Sequence, residues 1–164
     1  MKNKTSINLE VSLVEIIFSI LIFAIAGAIT LNCFAVAKFT QLKANDKVEA
    51  GNIIQSSAEI IKSADNIYEM NEYLSDNFKH NKLSNDETIY FNYYDGNWNL
   101  CDEQNEEYSI TIEINDVSVD FGDMKDISMH AEKVKHYPFI DNHNENSIIY
   151  EINTKKFFTN NESR

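Results

Sequence analysis

The side chains that could do chemistry form no catalytic or metal-binding pattern in this chain. Its histidines are His80, His130, His136 and His143, and its cysteines are Cys33 and Cys101. None of them has the spacing of a zinc site or stands in a recognised nucleophile motif. The Asp-Phe-Gly tripeptide at 120–122 is accompanied by no Gly-rich phosphate loop, so it predicts a turn. The sequence therefore predicts no catalytic residues and no cofactor.

Two further features resemble binding sites only superficially. The run 141–146, Asp-Asn-His-Asn-Glu-Asn, offers the oxygen ligands that Ca²⁺ prefers. It lacks the glycine and the spaced carboxylates of an EF-hand loop, which favours a solvated hairpin loop and no metal. The aromatic residues near the middle of the chain are Tyr90, Tyr93, Tyr94 and Trp98. They could form an exposed binding face, but aromatic residues on a half-buried strand are more often core or cross-strand pairs.

Composition limits the classes of function that the chain can have. Its 164 residues are enough for one domain and an additional segment. The formal net charge of −12 at pH 7 would repel a phosphate backbone, and no local basic patch opposes it, so nucleic-acid binding is not expected. Cys33 lies in an apolar run and Cys101 in a polar segment, so we expect no intrachain disulfide.

Glu15 stands directly before a long apolar run that occupies residues 16–37. This run has no formal charge, and its polar residues are Ser19, Thr30 and Asn32. Roughly 20 apolar residues in a helix cross the ~30 Å hydrocarbon core of a bilayer, so the run predicts a transmembrane helix. An acid at the edge of a membrane is costly, which makes Glu15 a candidate for a contact with a cationic partner. The plain alternative is an interfacial acid that reaches water.

Two other membrane-related interpretations are weaker. A secretory signal peptide would be cut after Ala-Val-Ala at 35–37, but its apolar core is long for that, and Glu10 and Glu15 lie where basic residues are expected. A lipoprotein signal would end at Cys33, but the residues before it, Thr-Leu-Asn, lack the small residue expected there. We therefore favour a retained membrane helix.

Residues 11–15, Val-Ser-Leu-Val-Glu, followed by the apolar run, resemble the class III signal of type IV pilins and pseudopilins. The pattern of that family is Gly-Phe-Thr/Ser-Leu-Val/Ile-Glu. The matching residues here are Ser12, Leu13, Val14 and Glu15, and Val11 stands in place of the usual Phe. The short polar leader before them, with its two lysines, is also typical of the family. Glu10 occupies the position of the cleavage-site Gly.

The resemblance implies a function in filament assembly. In the family a prepilin peptidase cuts after the Gly, the new terminal amine is methylated, and the Glu pairs with the amine of a neighbouring subunit. By this likeness the chain is a minor pilin or pseudopilin of a pilus, a type II secretion system or a competence system, and it is not an enzyme. Its partners would be other pilin or pseudopilin subunits, membrane lipid and the peptidase. Because Glu10 replaces the Gly, we expect that the leader stays uncut.

Beyond the apolar run the sequence predicts a continued helix. Apolar residues recur at helical spacing; they are Phe39, Leu42, Ile53, Ile54, Ala58, Ile61, Ala64 and Tyr68. We expect one helix from near Val11 to about Ile67, with a bend at Gly51; the alternative is a membrane helix joined to a separate soluble helix. A second short helix is predicted over 67–78.

The rest of the chain has the alternation of β-strands. Residues 88–94 and 98–101 flank Asp95-Gly96-Asn97, which predicts a hairpin. Further strands are predicted at 108–119, 127–131 and 147–152, giving four or five antiparallel strands. The expected fold class is α+β, with a long N-terminal helix packed on a small antiparallel sheet. This is also the architecture of pilins.

The predicted organisation is a leader at 1–10, a transmembrane helix at 11–37 and an extracytoplasmic domain at 38–164. Lysines on the two sides of the span are nearly equal in number, so the positive-inside rule does not fix the orientation in the cell membrane. The family resemblance implies the orientation given above. It also implies that the protein can be incorporated in a surface filament. The alternative function is a membrane-anchored ectodomain that binds a ligand, for sensing or adhesion, with the match at residues 12–15 accidental.

Overall fold

The computed structural model describes residues 4–84, 87–120, 122–140 and 148–159, with the backbone alone described over 4–11, over 80–84 and at residue 87. The chain is α+β: a long N-terminal helix is followed by a short helix and an antiparallel sheet. It divides into two compact units, Met1–Gln41 and Leu42–Arg164. We call the second of these the sheet unit. The predicted fold class is therefore confirmed at this level.

Helix α1 occupies Lys4–Ser63 and continues without interruption through Gly51. In its first part the side chains of the run 16–37, which we call the apolar segment, are nearly all exposed. Two hydroxyls are satisfied by the helix itself: Ser19 Oγ donates to the Glu15 carbonyl and Thr30 Oγ1 to the Ala26 carbonyl, each at 2.8 Å. Polar side chains bonded in this way can stand in an apolar helix at low cost.

Within the sheet unit, α1 buries one stripe of side chains. Besides Gly51, the buried positions are Asp46, Ala50, Ile54, Ser57, Ala58 and Ile61. Their spacing of three or four residues is that of a single helix face. Gly51 lies beside this stripe against the ring of Tyr150, and a methyl group there would be only 3.3 Å from the ring. The small residues thus allow the helix to lie close to the sheet.

The end of α1 and the start of the second helix are fixed by polar caps. Lys156 Nζ from the last strand donates to the Lys62 carbonyl, which compensates the unpaired carbonyls of the last turn. Helix α2 occupies Ile67–Asn77, and Asn66 Oδ1 accepts the Glu69 N–H at its start. Its buried residues are Met70 and Leu74. The predicted short helix is thus confirmed, and a side-chain cap at Asn66 begins it.

Among the residues that the structure describes, the sheet has six strands, all paired antiparallel. They are β1 His80–Ser84, β2 Glu87–Tyr94, β3 Leu100–Cys101, β4 Tyr108–Val117, β5 Asp123–Lys133 and β6 Ile148–Phe158. Their order is β1-β2-β4-β5-β6, and β3 also pairs with β2. Alternate residues of the central strand β4 are buried: Tyr108, Ile110, Ile112 and Ile114. One face of the sheet therefore forms the core and the other stays largely polar.

The core lies between this face and the helices. Its fully buried large side chains are Ile54, Ile61, Met70, Leu74, Ile110, Ile112, Ile127 and Met129. They come from α1, α2, β4 and β5. Burying each such side chain contributes about 1.5–3 kcal/mol. The core is thus made by the helices and the two central strands together.

The strands differ from the sequence-based expectation in number and length. Strand β1, His-Asn-Lys-Leu-Ser, has no alternating pattern of its own and forms through its pairing with β2. Strands β5 and β6 extend further than predicted because charged residues continue them on their partly exposed faces. Lys155 of β6, for example, lies 3.5 Å from Asp126 of β5. Polar pairs of this kind are not visible in a hydrophobic pattern.

The predicted hairpin is present, but its glycine is not the residue with positive φ. Asp95 accepts the N–H groups of Asn97 and Asn99, each at 2.9 Å. These backbone donors, Asn99 first, lower the pKa of the Asp95 carboxyl.

Trp98 takes the left-handed conformation at φ 62°, and its indole stacks on the Tyr108 ring at 4.2 Å. Stacking thus holds Trp98 in a backbone conformation that glycine usually adopts.

Gly122, in the turn between β4 and β5, generates the first prediction. Its φ is +81°, and a Cβ there would lie 2.5 Å from the Phe158 carbonyl oxygen. We expect Gly122→Ala to lower the free energy of unfolding by about 2–4 kcal/mol because strain and overlap add. Urea unfolding of the full chain in non-ionic detergent, followed by fluorescence of Trp98, measures this. The control is Gly96→Ala, whose Cβ would meet the flexible carboxylate of Glu107 at 3.0 Å. Equal losses of unfolding free energy in both variants would contradict the close approach of Gly122 to the Phe158 carbonyl oxygen.

Candidate functional site

The predicted assembly residues lie in α1 but do not converge on one point. Ser12, Leu13, Val14 and Glu15 are all exposed. Successive helix positions are about 100° apart, so these four side chains point in different directions. Glu10 and Val11 belong to the helix by their backbone, and their side chains lie outside the described residues. The described side chains around Glu15 therefore form no site within α1.

The helix surface next to Glu15 offers this carboxylate no cationic partner. The residues one turn away are Val11, Ser12, Phe18 and Ser19, none of which carries a positive charge. The hydroxyl of Ser19 is bonded to the Glu15 carbonyl, not to its side chain. Water, a lipid headgroup or a cation of a partner chain can satisfy this exposed carboxylate.

The apolar segment is long and apolar enough to cross a membrane. α1 carries such a stretch near the N-terminus, and none of its most apolar window is buried within the chain. Phe23, for example, is 80% exposed. Contiguous apolar surfaces of this size are covered by lipid or by other protein in the functional state of a protein. The segment is therefore an exposed apolar surface that no part of the described chain covers.

No protein-family model, curated protein or solved structure matches this chain. Its function is therefore inferred from its own residues and geometry.

A buried polar network in the sheet unit was not predicted from the sequence. Asp46, which is 9% exposed, stands on the buried stripe of α1. Its Oδ2 accepts hydrogen bonds from Tyr108 Oη at 2.8 Å and Tyr137 Oη at 2.5 Å. Lys133 Nζ lies 3.7 Å from the same oxygen and donates to Tyr108 Oη at 2.7 Å. We call these four residues the Asp46 network.

The Asp46 network is electrostatically balanced. The ammonium group of Lys133 lies over the rings of Tyr108, at 3.9 Å, and Tyr137, at 4.9 Å, and is 3.7 Å from a Glu107 carboxylate oxygen. Burial raises the pKa of Tyr108, and its hydrogen bond to Asp46 raises it further. The phenol consequently stays protonated and remains a donor at neutral pH. A network whose groups satisfy one another in this way orients α1 on the sheet.

The aromatic residues considered for a binding face are divided between two faces of the sheet. Tyr90 and Tyr94 are buried in the core, and Trp98 is half-buried on Tyr108. Tyr93 alternates with them on β2 and points to the opposite face, where its ring lies 5.4 Å from that of Phe91. The four residues therefore do not form one surface, and Phe91 was missed as the partner of Tyr93.

The remaining candidates show no chemical site in the described part of the chain. No group of three His, Cys, Asp or Glu side chains there could hold a metal ion. Cys33 and Cys101 are free thiols. Burial raises the pKa of Cys101, and the charges of Asp95, Asp102 and Glu106 raise it further, so this thiol is a weak nucleophile at neutral pH. The oxygen-rich run 141–146 lies outside the described residues.

The Asp46 network generates the second prediction. Asp46→Ala leaves two buried phenols without their acceptor and removes a carboxylate from beside the Lys133 ammonium. We therefore expect a loss of about 3–5 kcal/mol in the free energy of unfolding. Asp46→Asn keeps one acceptor oxygen and should lose less. Urea unfolding followed by Trp98 fluorescence measures both variants. The matched control is Asp126→Ala, which breaks the exposed pair with Lys155 and should cost at most about 1 kcal/mol. The assigned role is wrong if Asp46→Ala costs no more than Asp126→Ala.

Proposed function

We propose that this protein is a structural subunit of a type IV filament system, a minor pilin or pseudopilin anchored in the membrane by α1. One observation carries the proposal. The sequence Ser-Leu-Val-Glu at 12–15 stands at the start of an exposed apolar segment, in a helix whose later part packs on an antiparallel sheet. The filament could be a pilus, a type II secretion pseudopilus or a competence pilus.

The membrane is the natural partner of the apolar segment. Residues 16–37 carry no charge, and two of their polar side chains are hydrogen-bonded to the helix backbone. Lipid would cover the side chains that no part of the described chain covers. The backbone needs no further partner there because an α-helix satisfies its own N–H and C=O groups. In this proposal the leader is cytoplasmic and the sheet unit lies on the extracytoplasmic side of the cell membrane.

In a subunit cut after residue 10, Glu15 would set the position of one subunit against the next. A free amine on Val11 of a neighbouring subunit could meet the Glu15 carboxylate in a charge-assisted hydrogen bond, which is strong at the edge of a membrane. The helix surface around Glu15 offers no cation of its own. This contact requires a cut after residue 10. With Glu10 at the cleavage position, we propose that the leader is retained and that the native subunit is anchored but unprocessed.

The third prediction concerns this processing. We expect the native protein extracted from membranes to have the intact mass of the uncut chain. When a prepilin peptidase is co-expressed, the intact mass of the Glu10→Gly variant should be lower by the mass of residues 1–10. The reason is that the small glycine fits the cleavage site of the peptidase. Glu10→Ala is the matched control, since it removes the charge but keeps a side chain. A native species that begins at Val11 would show that the peptidase accepts Glu10.

The same variants test the role of Glu15 in assembly. Glu15→Ala should lower the amount of subunit in sheared surface filaments more strongly in the Glu10→Gly background than in the native one. The amount is measured by immunoblot against total membrane-bound subunit. Equal effects in both backgrounds would leave Glu15 without the proposed amine partner. Absence of the native protein from every filament fraction would overturn the proposed function as a whole.

A further inference from the structure

A cavity of about 480 Å³ opens on the face of the sheet opposite the core. Phe91 and Tyr93 form one wall, because they alternate along β2 with the buried Tyr90, Asn92 and Tyr94. The other wall is the short 3₁₀ turn after β3, with Asp102, Glu103, Gln104 and Asn105. The volume lies within the ~300–1,000 Å³ of small-molecule sites. The cavity is far larger than a metal ion requires.

The two walls offer complementary chemistry. The rings of Phe91 and Tyr93 are 5.4 Å apart and inclined by 59°, so both can contact one group in the cavity. Aromatic rings present large apolar surfaces that pack against an alkyl chain, and their faces also attract a cation within about 6 Å of the ring centroid. On the opposite wall, Asp102 and Glu103 supply carboxylates, and Gln104 and Asn105 supply neutral amides. The aromatic rings favour the body of an organic cation and the carboxylates its charged head.

Negative charge extends through this region. Burial raises the pKa of Tyr93, and the charges of Glu103 and Glu106 raise it further, so these carboxylates act at the aromatic wall itself. Burial, and then the charge of Glu103, also raises the pKa of Glu106. At the neighbouring Cys101, the charge of Lys79 lowers the thiol pKa, and the three carboxylates of Asp95, Asp102 and Glu106 raise it. An anion would be repelled from the cavity and a cation attracted.

We propose that this cavity binds an organic cation, an ammonium or guanidinium group carried on an alkyl chain. The alkyl part would lie on Phe91 and Tyr93, and the charged head would face Asp102 and Glu103. Such a group is present both in free diamines and in the Lys or Arg side chains of a protein. The inference is independent of filament assembly, since the cavity belongs to the sheet unit alone.

Calorimetric titration of the full chain in non-ionic detergent and phosphate buffer tests the proposal. Three probes of similar length are compared: cadaverine, N-acetyl-lysine methylamide and the neutral 1,5-pentanediol. We expect both amines to bind and the diol not to bind. Tyr93→Leu and Glu103→Gln should each weaken amine binding about three-fold to five-fold. Phe91→Leu is a second aromatic variant, and unchanged thermal unfolding shows that each variant is folded.

Glu113→Gln is the matched control, because it removes the same charge from the same sheet face outside the cavity wall. It should leave the affinity unchanged within two-fold. Tighter binding of cadaverine would assign the site to free diamines, and tighter binding of the lysine derivative to a protein side chain; both support the proposal. Three results would overturn it: no binding of either amine, equal binding of the diol, or an equal effect of Glu113→Gln and Glu103→Gln.

Discussion

The buried stripe of α1 must be kept from water, and in the sheet unit this constraint organises the fold. In the sheet unit the stripe that includes Ile54 and Ile61 is covered by the core face of the sheet. The apolar segment is covered by nothing in the described chain, and it is long and apolar enough to cross a membrane. Anchoring and assembly through this helix follow as proposals from the same requirement.

The Asp46 network supplies what apolar packing alone cannot. Hydrophobic contact is non-directional, so a helix could slide or rotate on a sheet at moderate cost. A buried carboxylate that accepts from Tyr108 and Tyr137 and faces Lys133 is satisfied in only one arrangement. The carboxylate is on the helix, and its partners are on β4, β5 and the connection after β5. The network therefore sets the position of α1 against the sheet, while burial of the core provides most of the stabilisation.

Local patterns predicted the elements of this fold, and long-range contacts could not be predicted. The long helix, α2 and the turn at Asp95 each follow from a spacing or a dipeptide within a few residues. By contrast, Asp46 and Tyr137 are 91 residues apart, and nothing in the sequence near either one indicates the other. Strand β1 forms because β2 pairs with it. Trp98 keeps a positive φ because a ring from β4 stacks on it, and the pairing of Phe91 with Tyr93 depends on which face of β2 is buried.

The central claim is that α1 crosses the membrane with the leader and the sheet unit on opposite sides. Thiol labelling in intact cells with an impermeant maleimide tests it most directly, in a background of Cys33→Ser and Cys101→Ser. Tyr68→Cys places a thiol at an 86% exposed position of α2, and Thr5→Cys places one in the leader. The account predicts labelling of Tyr68→Cys in intact cells and of Thr5→Cys only after lysis. Protection of Tyr68→Cys until lysis, or labelling of both positions in intact cells, would contradict it.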